Sequence, residues 1–239
     1  MADAPTTPVT VASCPNREAM ADAAASFVAD TLRQSIAMRG HAGLIVTGGH
    51  TPGGIYDRLA QSRIAWPRVT VTLTDDRFVP PDDPDSNEGL VRRRLLRAEA
   101  AEAKFVPLMH EGVAIEAAAL EADRALAKIN WPVDLACLGM GEDGHIASLF
   151  PGNVSLAAGL NPGTVRRCIA VQAGAPAPPQ ARLSLTLNAL TDARAIAIVT
   201  TGAKKRTVFE AAQNGERNDL PIAHLLRAGR ALIRFYWAP

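Results

Sequence analysis

The chain has 239 residues, is 48% hydrophobic, and carries 25 Lys and Arg against 24 Asp and Glu for a net charge of +1. That length and apolar content suit one α/β domain around a large core, while the near-neutral balance lacks the basic field a nucleic-acid binder uses, so no nucleic-acid partner is expected. Cys14, Cys137 and Cys168 are too few and too scattered for a disulfide framework or a zinc ribbon; with no leader-like start and no apolar run near the roughly 18 residues a span requires, no membrane partner is expected and a soluble cytoplasmic protein is.

Residues 1–15 are expected to be a flexible N-terminal segment. Arg17 to Arg39 is rich in Ala, with Ala24, Phe27, Val28, Leu32 and Ile36 at helical spacing and Gly40 placed as a C-terminal cap, so a packing helix is predicted. Ala42 to Thr47 is a short apolar strand. Gly48, Gly49, His50, Thr51, Pro52, Gly53 and Gly54 follow, and then the helical pattern of Ile55, Tyr56 and Leu59. Strand, glycine loop and helix in that order, with Pro52 suited to a first helical turn, make an anion cradle of free backbone N–H groups. It is not a P-loop, because no Gly-Lys-Ser/Thr follows.

Val69 to Thr74 alternates apolar residues with threonine and reads as a third strand running into Asp75, Asp76 and Arg77. Pro80, Pro81 and Pro84 keep the next loop out of helix. Ser86 or Asn87 caps a basic helix from Glu88 to Arg97, whose Arg92, Arg93 and Arg94 read as a solvated face. Phe105 to Leu108 is a fourth strand candidate, and Val113 to Ile129 a long Ala-rich helix.

Val133 to Leu138 is a buried strand, since its length suits a strand and Gly139 and Gly141 extend a helix only at a cost. Glycines at a strand's carboxyl end let backbone N–H groups approach a ligand that a Cβ would hold off. Gly139 to Gly144 matches the GxGxxG dinucleotide fingerprint, but that fold needs a long helix next and an acid about 20 residues on. Here Pro151 and Gly152 cut any helix short, and no Asp or Glu occurs between Asp143 and Asp192. The interval carries His145, Arg166, Arg167 and Arg182, which suit a phosphate- or carboxylate-bearing ligand better than an adenosine ribose.

After Phe150 the pattern is less regular. Ala173 to Pro179 is a loop, Arg182 to Leu187 resumes strand-like alternation, and Ala195 to Thr200 is a buried strand. A helix follows through Ala212, and Ala231 to Trp237 is a last apolar strand. The β-α-β-α-β-α-β order predicts an α/β fold, a single domain over 1–239 with a mostly parallel, Rossmann-like sheet and helices on both faces.

With these segments laid out, the chain resembles the 6-phosphogluconolactonase family, within the group that includes glucosamine-6-phosphate deaminases. The resemblance rests on GGHTPGGIY from Gly48, DDRFVPPDDPDSN from Asp75, DLACLGMGEDGHIASLFPG from Asp134, RLSLT from Arg182, and the glycine-x-x-lysine ending at Lys205. Their order and spacing together are specific. Asp76 stands where the family commonly has Glu, His50 where it has Ser, and Ile146 where it has Thr.

The resemblance implies hydrolysis of 6-phospho-D-glucono-1,5-lactone to 6-phosphogluconate in the oxidative pentose phosphate pathway. Such a reaction needs a proton acceptor for water, donors for the developing oxyanion, and a grip on the remote phosphate. His145 takes the first role, because an imidazole accepts a proton near neutrality. Backbone N–H groups of Gly48, Gly49 and the Gly141 to Gly144 turn are candidates for the second, with Thr51 in the same substrate-binding loop. Arg77, Arg182 and Lys205 would hold the phosphate, the glycine spacing favouring Lys205 over Lys204, and Asp75 or Asp143 would position neighbours. No metal and no cofactor are expected, and the expected assembly is a monomer or weak homo-oligomer. His41, His50, His110 and His224 are left as structural. The alternatives are amino-sugar deamination and a sugar-phosphate sensor without turnover.

Overall fold

The computed structural model describes residues 9–174, 180–228 and 231–239. Most of the loop predicted at 173–179 therefore lies outside the described residues. In chain order the elements are β1 (Val9–Ser13), α1 (Arg17–Arg39), β2 (Ala42–Val46), α2 (Gly53–Ala60), β3 (Val69–Leu73), β4 (Asp75–Arg77), α3 (Asn87–Arg94), β5 (Lys104–Val106), α4 (Ile115–Leu126) and β6 (Val133–Leu138). The second half adds α5 (Leu156–Leu160), β7 (Cys168–Val171), β8 (Arg182–Leu185), α6 (Leu187–Thr191), β9 (Ala193–Thr201), α7 (Ala203–Gln213), α8 (Pro221–Arg227) and β10 (Leu232–Ala238).

The main sheet has seven strands in the order β1-β10-β9-β6-β2-β3-β5, and all its pairings are parallel. Every residue of β2 and β6 is buried, as central strands must be when helices cover both faces. From β2 the chain builds outward through β3 to β5, then returns to place β6 on the other side of β2 and builds outward again through β9 and β10. The sheet thus reverses direction between β2 and β6. In open α/β sheets, ligands bind outside the strand carboxyl ends at such a point.

The helix predicted over Arg17 to Arg39 forms with those bounds. Asn16 caps it, its Oδ1 accepting from Ala19 N at 2.9 Å, and Gly40 ends it at φ 77°, a left-handed conformation that costs glycine nothing. Met20, Ala24, Val28 and Leu32 bury one face, against β2, β6, β9 and β10. At the amino ends of the strands the buried Asp134 accepts from Gly43 N at 2.8 Å and from Arg39. This network lies at the opposite end of the sheet from the glycine loops and serves the fold.

Two features depart from the expectation. Val9–Ser13, placed within a flexible segment, pairs with Ile233–Trp237 and forms an edge strand, because its alternating V-T-V-A-S finds an open ladder on β10. A second, antiparallel sheet is also present, in the order β4-β8-β7. Asp75–Arg77 continues past β3 only to leave the parallel sheet and pair with Arg182–Ser184. Among the described residues no helix is long and apolar enough to cross a membrane.

Candidate active site

At the β2/β6 reversal lies an open cleft of about 200 Å³, lined by residues that include Gly48, Gly49, Thr51, Asp75, Arg77, His145, Arg182 and Lys205. Eight of the nine residues nominated from the sequence thus share one depression, although they span positions 48 to 205. The ninth, Asp143, reaches it through His145. The volume suits a single small molecule better than a dinucleotide, since drug-sized ligands occupy about 300–1,000 Å³.

Asp143 Oδ1 lies 2.6 Å from His145 Nδ1 and also accepts from His145 N at 3.2 Å. Burial alone would raise the Asp143 carboxyl, but the hydrogen bond and charge of His145 outweigh it and hold the carboxyl below its ordinary value. An ionised carboxylate accepts only, so Nδ1 is the nitrogen that donates to it, and in the neutral imidazole that leaves the lone pair on Nε2. A Cβ on Gly141 would come within 2.1 Å of His145 Nδ1 and 2.4 Å of Asp143 Oδ1. That glycine leaves the space in which the pair meets. Phe150 backs the imidazole, with ring centroids 4.5 Å apart. Ala147, also on the cleft wall, has φ 49°, a strained conformation for a residue with a Cβ.

The cations come from different elements. Arg77 on β4 and Arg182 on β8 are cross-strand partners. Arg182 lies over the Phe150 ring at 5.1 Å. Burial lowers its affinity for its proton, partly countered by the nearby Asp75. Lys205 stands in the first turn of α7, and burial likewise lowers it, against the pull of Glu142 and Asp143. Lys204 is exposed and donates to Glu142 at 2.6 Å, so of the two lysines it is Lys205 that lines the cleft.

The structure separates the two proposed backbone cradles. In the β6 turn, Gly141 N donates to His145 O at 2.9 Å and Gly144 N to Gly141 O at 3.2 Å, so both groups are already used. Among the described residues the N–H groups of Gly48, Gly49, His50 and Thr51 have no such partner. Of these glycines, those with free N–H groups are in the loop after β2. Asp75 is almost fully buried and its carboxylate is engaged: Oδ1 accepts from Thr74 Oγ1 at 2.7 Å and Oδ2 from Ser148 Oγ at 2.6 Å. It ties the end of β3 to the turn carrying His145 while lining the cleft.

Sequence reasoning missed several lining residues: Thr47, Asn87, Met140, Ala147 and Val199. Asn87 carried a signal, since it sits in a quoted motif, but a helix-capping reading absorbed it. His50, left as structural, also lines the cleft. Arg166 and Arg167 do not; Arg167 pairs with Asp192 at 3.0 Å and stacks over Trp131. Arg94, in the run read as a solvated face, pairs with Asp57 and joins α2 to α3. Among the described residues no group of three or more His, Cys, Asp or Glu is arranged to hold a metal ion.

A parallel α/β sheet whose β2/β6 reversal carries a glycine cradle, an imidazole–carboxylate pair and three cations defines a class of protein built to bind a small anionic molecule. Comparison with known proteins narrows that class. The family model for glucosamine-6-phosphate isomerases/6-phosphogluconolactonase matches residues 15–234. A 6-phosphogluconolactonase of Caulobacter vibrioides is 44% identical over 234 residues, 98% of this chain and 99% of its own. One from Mesorhizobium japonicum is 45% identical over 94% of this chain and 93% of its own. The crystal structure of a 6-phosphogluconolactonase from Shewanella baltica superposes with a TM-score of 0.89 at 32% identity, covering 97% of this chain and 98% of that one. The chain belongs to the glucosamine-6-phosphate isomerase/6-phosphogluconolactonase family.

Proposed function

We propose that this protein hydrolyses 6-phospho-D-glucono-1,5-lactone to 6-phospho-D-gluconate, the lactone step of the oxidative pentose phosphate pathway. The observation that carries the reading is the His145–Asp143 pair sharing one cleft with Arg77, Arg182 and Lys205.

A lactone is an activated ester, so the chemistry asked of the protein is modest. With Nδ1–H donated to Asp143, Nε2 of His145 takes a proton from water as the water oxygen bonds to the lactone carbonyl carbon. The carbonyl electron pair moves onto its oxygen, where the free N–H groups of the Gly48 to Thr51 loop stabilise it. Collapse re-forms the carbonyl and breaks the bond to the ring oxygen, which leaves as a hydroxyl with the proton returned from Nε2. Arg77, Arg182 and Lys205 hold the phosphate, whose binding energy orients the distant carbonyl. Asp75 is a positioning residue that fixes the wall carrying His145. Water, one imidazole and hydrogen-bond donors balance the reaction, so the reading calls for no cofactor and no metal.

The same reading extends to setting. Free Cys14, Cys137 and Cys168 suit a reducing cytoplasm, and every residue invoked comes from one chain, which suits a monomer or weak homo-oligomer. Neither nucleic acid nor membrane enters.

The test is acid release on adding freshly generated lactone. A rate well above the spontaneous one, and a much smaller gain with the unphosphorylated lactone, is expected. Stabilisation by a phosphorylated sugar with no added acid release would make the protein a sensor. Ammonia from glucosamine 6-phosphate would make it a deaminase.

A further inference from the structure

Asn87 begins α3 but does not cap it. Ser86 does, its Oγ accepting from Gly89 N at 3.1 Å. The Asn87 side chain is therefore free to turn inward, and the residue is 3% exposed. Its Nδ2 donates to the Asp75 carbonyl at 2.8 Å, which fixes the amide orientation and sends Oδ1 the other way. Oδ1 accepts from Arg77 Nη1 at 3.4 Å and lies 1.8 Å from where a Cβ on Gly48 would stand. Asp85 O accepts from the same Nη1. Arg77 Nε is buried without an acceptor, and Nη2 makes no hydrogen bond among the described residues.

We propose that Asn87 is a positioning residue for the phosphate end of the cleft. It holds Arg77 by one nitrogen, so that the guanidinium meets an anion with Nη2. An amide is the side chain that serves. It satisfies the buried Asp75 carbonyl as a donor and Arg77 as an acceptor without adding charge. A carboxylate there would pair with Arg77 and cancel its attraction for phosphate; an apolar side chain would orphan the carbonyl and release the guanidinium. This inference rests on the sugar-phosphate reading of the cleft.

The test is the Asn87→Ala variant, with lactone kinetics and an inorganic phosphate titration followed by thermal shift. KM and the phosphate dissociation constant should each rise about tenfold with kcat within about threefold, the pattern of lost ground-state and transition-state binding together. The Gly48→Ala/Asn87→Ala double variant separates positioning from packing. Its new methyl refills the vacated space, so thermal stability should recover while KM stays high. Asn87→Asp keeps the volume should the alanine variant fail to fold, and it should also weaken phosphate binding. Phosphate affinity and KM unchanged in Asn87→Asp, or a fall in kcat at constant KM in Asn87→Ala, would overturn the proposal. If the wild-type protein released no acid from the lactone, the lactonase reading would fall, and the phosphate titration would still decide the part played by Asn87.

Discussion

Arg77 and Arg182 stand directly opposite each other as cross-strand partners in the small antiparallel sheet, though 105 positions separate them in the chain. Like charges at opposed positions repel, and no carboxylate pairs with either guanidinium at ion-pair distance among the described residues. An anion between them would relieve that repulsion. Removing one should therefore cost binding more than folding. A hydrogen bond to a charged group contributes about 1.5–3 kcal/mol, so Arg77→Ala or Arg182→Ala should raise KM by about 10- to 100-fold. Thermal stability without phosphate should stay near wild type, and the stabilisation that phosphate gives should shrink. A variant destabilised without phosphate yet unchanged in KM would make the pair structural.

His145→Ala separates chemistry from binding. General-base removal costs about 10²–10⁴ in rate, so kcat should fall by that factor while KM and the phosphate-induced thermal shift persist. Acid release at the wild-type rate would remove His145 from the mechanism.

For Asp143→Asn the expected loss is again in kcat, because a neutral amide no longer favours the proton on Nδ1 and a lone pair on Nε2. Stability should also respond to acid. The Asp143 carboxyl is held below its ordinary value despite partial desolvation, so its contribution is present above the unfolded carboxyl range, near pH 3.9. That contribution is lost as pH falls through the folded value. Melting temperatures followed downward from about pH 6 should show the wild type losing ground to Asp143→Asn below about pH 4. Parallel curves would mean the pair adds nothing to folding.

Gly141→Ala attacks the same pair without touching either member. The added methyl falls 2.1 Å from His145 Nδ1, so the imidazole must leave Asp143. Activity should drop nearly as far as in Asp143→Asn. KM should change little, since Arg77, Arg182 and Lys205 are untouched. Wild-type kcat in this variant would show that the pair need not form for turnover.

What was legible in the sequence follows from how local each signal is. The Arg17–Arg39 helix is written in its own spacing and caps, and the central strands in their apolar runs. The cleft was legible because glycine-bounded strand ends mark where a parallel sheet binds ligands. The antiparallel sheet was not, because β4 and β8 are only three and four residues long and their pairing is set by tertiary contact. Nor does any local signal say that Gly141 and Gly144 spend their N–H groups within the β6 turn while the loop after β2 leaves its own free. Val9–Ser13 reads as a loose end until β10, more than 200 residues later, supplies a ladder.

Asp76 gives the last prediction. It is fully buried, and its carboxylate accepts from the N–H groups of Arg77 at 2.8 Å, Asn87 at 2.6 Å and Glu88 at 2.9 Å, anchoring the start of α3 beneath the cleft. Burial pushes its carboxyl up to about 7; the Glu88 and Asn87 amides oppose that rise and the neighbouring Asp75 adds to it. In the unfolded chain an aspartate titrates near 3.9. Between these values the folded state holds more protons than the unfolded one, so stability falls as pH rises through the window and levels off above it. Asp76→Asn has no proton to lose. The melting-temperature difference between wild type and variant, measured from about pH 4 to about pH 8, should move against the wild type as pH rises and flatten beyond about 7. Movement in the wild type's favour would mean that the three amides outweigh burial and hold the group as a carboxylate throughout.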